Sequence, residues 1–528
     1  MEYRDINIGK LSEFEENEMR SVTIDKHSFL LIRSEGKVYA IDGLCTHYGA
    51  PLEEGILCRE NVICPWHHSY FNIKTGKAIE PPAFNSLNRY DVILNGEDII
   101  LRLPENVENG RTPEMSTYEA QKDSRTFVIL GAGASAYMAA QTLREDGFKG
   151  RILMLTYENH TPYDRPNLSK EYLMGSAPDE WMPLRTDDFF SSYGIEIIKQ
   201  MKVTEADAEK KQIRFENGNT LSFDKMLIAT GGTPKRLEIP GSKLQNIFYL
   251  RTFDDADRII ESTVKARRVV IIGSSFIAME AAFSLRKRKL SVAVISPDKV
   301  PFEKAFGSEI GGLFFDLHKK NGVEFRMETS VESFEGNKRV EAVVLSNGEK
   351  IETDIVVVGI GVKPATDFIK GISLEKDGSI KVDQFFRAAE DVFASGDIVS
   401  FPDWRSGEVL RIEHWRTAQQ QGKNAAHNML GNVTPDNFVP FFWTHQLGLE
   451  LRYVGHAKQW DEIIIKGDVK SKDFIAYYIK DNQVYAAAGN NRDKEIAAIE
   501  ELMRREKMPS ADELRNGSPE DLLRLIQQ

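Results

Sequence analysis

A chain of 528 residues is too long for one hydrophobic core and implies about three to four domains of ordinary size. Its 41% hydrophobic and 10% aromatic content, with charges of both signs throughout, excludes disordered and fibrous classes. A net charge of −12 argues against nucleic acid, whose phosphates select clustered Lys and Arg.

The first twenty residues contain no apolar core flanked by cations, and no apolar run approaches the roughly 18 residues a membrane span requires. A cytoplasmic protein without a membrane span is therefore expected, its acidic surface suited to a basic partner. The three cysteines, Cys45, Cys58 and Cys64, are confined to the N-terminal region, which excludes a secreted disulfide scaffold and says where to look for metal.

Residues 1–103 read as short alternating runs, such as HSFLLIRSEGKVYAID and NRYDVILNGEDIILRLP, and predict a small antiparallel β domain. Within it stand Cys45-Thr46-His47 and Cys64-Pro65-Trp66-His67. Two thiolates and two imidazoles, one of each per loop, suit a [2Fe–2S] cluster in which Cys holds one iron and His the other. Zinc takes the same ligand types, but zinc fingers put both Cys in one arm and both His in the other. The stretch resembles Rieske proteins, including a Pro81-Pro82 loop expected to cover the cluster. Ala50 and Trp66 occupy the positions of the inter-loop disulfide of high-potential members, so that bridge cannot form. Ser69 is kept as a donor to cluster sulfur, whereas Phe71 replaces a tyrosine donor, which implies a ferredoxin-like, lower potential. His68 stands where glycine is common, and Cys58 reads as a small buried hydrophobe.

Residues 104–124, with two prolines and almost no aliphatic side chains, read as a flexible linker with a span of roughly 25 Å. Beyond them, TFVILGAGASAYMAAQTLREDG and RRVVIIGSSFIAMEAAFSLRKRK are two strand, Gly-turn, helix units, each followed by another apolar strand. They predict tandem α/β Rossmann-like domains, one for FAD (125–245 and 365–434) and one for NAD(P) (246–364), before an α+β C-terminal domain (435–528). The whole is a multidomain α/β protein with a small β domain in front.

In the first unit, Gly131, Gly133 and Ala136 form the turn that offers backbone N–H groups to a pyrophosphate, and Glu158 ends the next strand, where a carboxylate meets a ribose. The segment PYDRPNLSKEYL that follows resembles the flavin-binding stretch of the apoptosis-inducing-factor and ferredoxin-reductase branch of pyridine-nucleotide-disulfide-reductase-like flavoproteins, and the likeness continues through MLIATGGTPKRL, VVVGIGVKPAT and DVFASGDIV. It implies FAD contacts from Arg165, Lys170 and Asp397, with Trp415 and Trp443 along the isoalloxazine; a plain core role for the tryptophans is the competing reading. No cysteine follows Cys64, so electrons leave the flavin by a route other than a reactive thiol.

In the second unit the turn reads Gly273-Ser274-Ser275-Phe276-Ile277-Ala278, and a serine at the middle position is expected to crowd a pyrophosphate. By resemblance Glu280 pairs with Lys170 near flavin N5; a structural helix glutamate is the alternative. The next strand ends in Ser296-Pro297-Asp298-Lys299, with neither a terminal carboxylate nor an arginine pair, so NADH is favoured only slightly over NADPH. Together the parts resemble Rieske-containing apoptosis-inducing-factor-like oxidoreductases, which implies transfer from NAD(P)H through FAD to the fused cluster and on to an acceptor the sequence does not name. A redox-sensing or death-signalling flavoprotein with little turnover and the reductase half of a Rieske oxygenase system are the alternatives.

Overall fold

The computed structural model describes residues 2–527. The N-terminal unit is a six-stranded antiparallel sheet in the order Tyr3–Lys10, Asp98–Pro104, Arg89–Asn95, Lys37–Asp42, His27–Ser34, Met19–Ile24, carrying a second sheet of four short strands between Ile56 and Glu80. Alternation along His27–Ser34 decides what each face does. Phe29 and Leu31 pack with Phe14, Tyr90 and Leu101. Leu30 and Ile32 point the other way, into the core that holds Cys45, Cys64 and Phe71.

The apolar runs of the two βαβ units form parallel sheets. The first has the order Ile195–Ile198, Arg151–Leu155, Thr126–Leu130, Lys225–Ile228, Val392–Ala394, with Arg387–Ala389 antiparallel at its edge. Strand Val392–Ala394 returns to this sheet after the second unit, whose five parallel strands run Ile247–Tyr249, Ile355–Val358, Arg268–Ile272, Ser291–Ile295, Val323–Arg326. Helix Trp415–Met429 closes the first unit by lying on helix Ala134–Glu145. Their approach is so near that a Cβ at Gly422 would come within 2.2 Å of the Ser135 carbonyl oxygen. The C-terminal part is a five-stranded antiparallel sheet, Phe441–Gln446, Leu449–Gly455, Gln483–Asn490, Asp473–Lys480, Glu462–Asp468, backed by helix Asp493–Arg504. No helix among the described residues is long and apolar enough to cross a membrane.

One expectation is overturned. Residues 104–124 are not a free tether: Ser86 and Arg111 exchange both backbone hydrogen bonds, Gly110 N–H donates to Asp42, Ser116 donates to the Arg144 carbonyl, and Glu119 N–H donates to the Lys149 carbonyl. Sparse aliphatic content says nothing about whether a backbone finds partners on neighbouring surfaces. The N-terminal unit is correspondingly docked. Ile56, Cys58, Ile63 and Tyr70 share one hydrophobic core with Phe441, Tyr477, Ile496 and Leu502 of the C-terminal part.

Candidate functional site

The two cysteine loops repeat one backbone design. Cys45 N–H donates to Ala50 O and its carbonyl accepts from Gly49; Cys64 N–H donates to Ser69 O and its carbonyl accepts from His68. Both loops turn through the left-handed region at the same place, at Gly49 (φ 76°) and His68 (φ 55°). The glycine-like position of His68 is thus real, and its backbone cost is offset by the side chain, which reaches Glu500 Oε2 from Nδ1 at 2.5 Å and stacks on Phe441.

The loops sort the donors by element. The thiols of Cys45 and Cys64 are buried in one core and act on each other, and the His47 and His67 Nδ1 atoms are 3.1 Å apart. Burial pushes His47 down to about 3 and carries His67 well below the usual imidazole range, leaving neutral rings with lone pairs to give. The Ser69 side chain and the His47 backbone favour a thiolate at Cys45, and the Trp66 and His67 backbones favour one at Cys64. Ser69 is itself held by Ala83 N–H, from the loop after Pro81-Pro82, at 3.0 Å. Among the described residues no three His, Cys, Asp or Glu converge on one point suited to a single ion. One pair of cysteines and one pair of histidines form the donor set that a two-iron cluster takes. Cys58 stands apart, its thiol pushed up to about 12 by burial and by Glu501.

A cavity of 1170 Å³ lies beside this site. Gly131 (φ 120°) enters it under the Ala229 carbonyl, where a Cβ would be 2.3 Å away, and Gly133 caps helix Ala134–Glu145 with open space in place of a side chain. Ala136 is fully buried beneath the turn and does not line the cavity. Glu158 accepts from the Tyr163 hydroxyl at 2.6 Å and from Arg165 at 2.8 Å, while Asp397 accepts from Arg251 at 2.9 Å. Lys170 Nζ and the Ser169 hydroxyl converge on Glu280 Oε2 at 2.8 and 2.6 Å, and the Thr444 hydroxyl donates to Oε1 at 3.0 Å. One carboxylate thus ties the first unit, the second unit and the C-terminal sheet together. Trp415 and Trp443 line the cavity, and the Trp443 ring lies 4.2 Å from that of His67. Ser169 lies inside the flavin-binding stretch PYDRPNLSKEYL without a signal of its own, and Thr444 and Arg251 reach the site from distant parts of the chain.

The second turn copies the first. Gly273 (φ 108°) passes under the Gly359 carbonyl, 2.3 Å from a would-be Cβ. Ala278 packs beneath Gly359. The crowding expected at Ser275 is eased on the hydroxyl side, because its Oγ turns back to donate to the Gly359 carbonyl at 3.1 Å. The strand end also departs from expectation. Ser296 is buried, its hydroxyl 2.8 Å from Ser274 Oγ, and both hydroxyls reach Asp298 Oδ2 at 3.3 and 3.2 Å. A carboxylate does stand beside this Gly turn, that of Asp298, three residues beyond the strand end.

Residues 125–422 match the family model described as pyridine nucleotide-disulphide oxidoreductase, residues 5–91 that of the Rieske [2Fe-2S] domain, and residues 441–524 that of the reductase C-terminal domain. The chain belongs to the pyridine nucleotide-disulphide oxidoreductase family. Within it the chain is 36% identical to human apoptosis-inducing factor 3, over 93% of this chain and 83% of that protein. It is 31% identical to the ferredoxin–NAD(+) reductase component of 3-phenylpropionate/cinnamic acid dioxygenase from Photorhabdus laumondii, over 72% and 96% of the two chains. The crystal structure of the covalent putidaredoxin reductase–putidaredoxin complex superposes with a TM-score of 0.72 at 27% identity, covering 76% of this chain and 99% of that one. FAD, NAD(P)H and a [2Fe–2S] cluster are the cofactors of this domain combination.

Metal and flavin analysis of the purified protein should give about two irons, two acid-labile sulfides and one FAD per chain. Zinc without sulfide would contradict the paired-donor reading.

Proposed function

We propose that the protein oxidises NAD(P)H at FAD and delivers the electrons to its own Rieske cluster, from which an external acceptor draws them. The observation that carries this reading is the contact of His67 with Trp443, a side chain that faces the flavin cavity on one side and the cluster loop on the other. When bound, FAD supplies the conversion of a two-electron hydride into the one-electron steps a [2Fe–2S] cluster can take.

The chain's own residues bind and orient. The Gly131–Gly133 turn and the N-terminus of helix Ala134–Glu145 would hold the FAD pyrophosphate, with Glu158 and Arg165 toward the adenosine and Asp397 toward the ribityl chain. Trp415 and Trp443 would flank the ring. Lys170, fixed by Glu280, would sit where hydride arrives, and because Ser169 and Thr444 brace the carboxylate, the ammonium is preorganised. The turn of Gly273, Ser275 and Ala278 would take the nicotinamide coenzyme's pyrophosphate. Asp298 then stands where it can accept from a ribose and repel a 2′-phosphate, which favours NADH. The three unpaired cysteines support a cytoplasmic setting.

The low-turnover sensing alternative draws on the serine in the second turn, and the inward turn of the Ser275 hydroxyl weakens that support. A second reading, the reductase half of an oxygenase system, is favoured by the likeness to the Photorhabdus reductase component; it differs only in the acceptor.

Two substitutions separate the half-reactions. Cys64→Ser should remove a cluster ligand and abolish transfer beyond the flavin while FAD is still reduced by NAD(P)H; Lys170→Ala should slow FAD reduction by roughly 10²-fold with the cluster assembled and chemically reducible. Stopped-flow absorbance reads both, and a cluster that is reduced before the flavin would refute the order. Asp298→Asn should raise the KM for NADH relative to that for NADPH; an unchanged ratio would remove Asp298 from the ribose site.

A further inference from the structure

The carbonyls of the two residues flanking His67 are gripped from outside their own domain. Arg452, in strand Leu449–Gly455, donates from Nε to the Trp66 carbonyl at 3.0 Å. Arg416, in the first turn of helix Trp415–Met429, donates from Nη2 to the His68 carbonyl at 2.9 Å. Arg416 spends its other donors on the Pro81 carbonyl and on Glu500 Oε1, each at 2.9 Å, and its guanidinium stacks 5.3 Å over Phe441. Pro81 begins the loop that holds Ser69, so one fully buried guanidinium touches both walls of the cluster pocket. Arg452 is braced by Asp493 at 2.7 Å. Neither arginine lines the flavin cavity.

We propose that Arg416 and Arg452 are positioning residues: by clamping the Trp66 and His68 carbonyls they fix the His67 ring against Trp443 and so set the rate of electron passage between the cofactor sites, and the charge of Arg452 raises the reduction potential of the cluster. This rests on the flavin-to-cluster reading above. A guanidinium fork fixes both distance and orientation of a carbonyl, which a lysine ammonium does not. Electron transfer falls steeply with separation, so a loop that drifts by a fraction of an ångström is felt as rate. A cation held beside the cluster favours its reduced, more negative form, and Arg452 sits on the Trp66 carbonyl, within the loop between Cys64 and His67, at 3.0 Å.

The test uses the holoprotein with Arg452→Gln, Arg452→Lys and Arg416→Gln, the last also combined with Glu500→Gln so that no buried carboxylate is stranded. Iron, FAD and the Rieske EPR spectrum establish loading. FAD reduction by NAD(P)H should stay within about twofold of wild type, while cluster reduction slows at least about tenfold in every variant. In an EPR-monitored titration the midpoint should move negative in Arg452→Gln and stay in place in Arg452→Lys, which keeps the charge but not the fork. Wild-type cluster reduction in fully loaded variants, or an unmoved midpoint in Arg452→Gln, overturns the proposal. Should wild type itself fail to reduce its cluster after its flavin, it is the underlying reading that falls, and the Arg452 midpoint still reports on the charge beside the cluster.

Discussion

Everything in this molecule depends on one buried ionic contact, Arg416 with Glu500, placed where three parts of the chain meet. Both side chains are fully buried. Taking two charges out of water costs several kcal/mol each, and the cost is met only if every remaining donor and lone pair finds a partner. Here they do. Arg416 reaches two carbonyls of the cluster loops besides Glu500, and Glu500 takes Arg416 and Arg504 on one oxygen and His68 on the other. Burial alone would push the Glu500 carboxyl up and is the largest single effect on it, yet Arg416, the His68 hydrogen bond and Arg504 together outweigh it and hold the group at about 2. Burial also keeps the His68 imidazole below its ordinary value, so His68 serves as a neutral donor and the arginines supply the positive charge. A carboxyl depressed in this way contributes stability above its unfolded value of about 4.5, lost as pH falls toward 2. Removing one partner of such a pair costs about 3–5 kcal/mol, which makes the contact a specification of geometry more than a source of strength.

That geometry settles how the cluster meets the reductase. A separate ferredoxin must find a reductase by diffusion, and its docked pose is one of many. In this chain the N-terminal unit shares a hydrophobic core with the C-terminal sheet, and residues 104–124 run along the surfaces between the units. The loop bearing His67 is presented to Trp443 without a search. Tyr48, which follows ligand His47, adds a hydroxyl contact to Asp164 at the start of the flavin-binding segment. The cofactor sites are therefore parts of one packed body, and the order of electron flow is written into which side chain lies between them.

What sequence made legible was local. The Cys and His pairs lie within three or four residues of one another, and the glycines of both turns announce themselves because only glycine passes beneath the carbonyls of Ala229 and Gly359. The glutamate–lysine pairing of Glu280 with Lys170 came from resemblance, and the contact stands at 2.8 Å. Hidden from the sequence were contacts between distant positions: His68 to Glu500 is separated by 432 residues and Arg416 to His68 by 348, and no periodicity reports such a meeting. Residues 104–124 misled because polar composition describes side chains, whereas the segment is held through its backbone. At the second strand end, position alone pointed to Ser296, but the pleat turns that hydroxyl inward and leaves the carboxylate to Asp298.

The central claim is that the cluster is reduced from within its own docked chain. Stopped-flow reduction with NADH, across a hundredfold range of protein concentration and with added viscogen, tests it most directly. The account predicts that the rate of cluster bleaching after flavin reduction is the same at every concentration and indifferent to viscosity; a rate that climbs with protein concentration, or falls in proportion to viscosity, would show that the Rieske unit must move or that electrons pass between molecules.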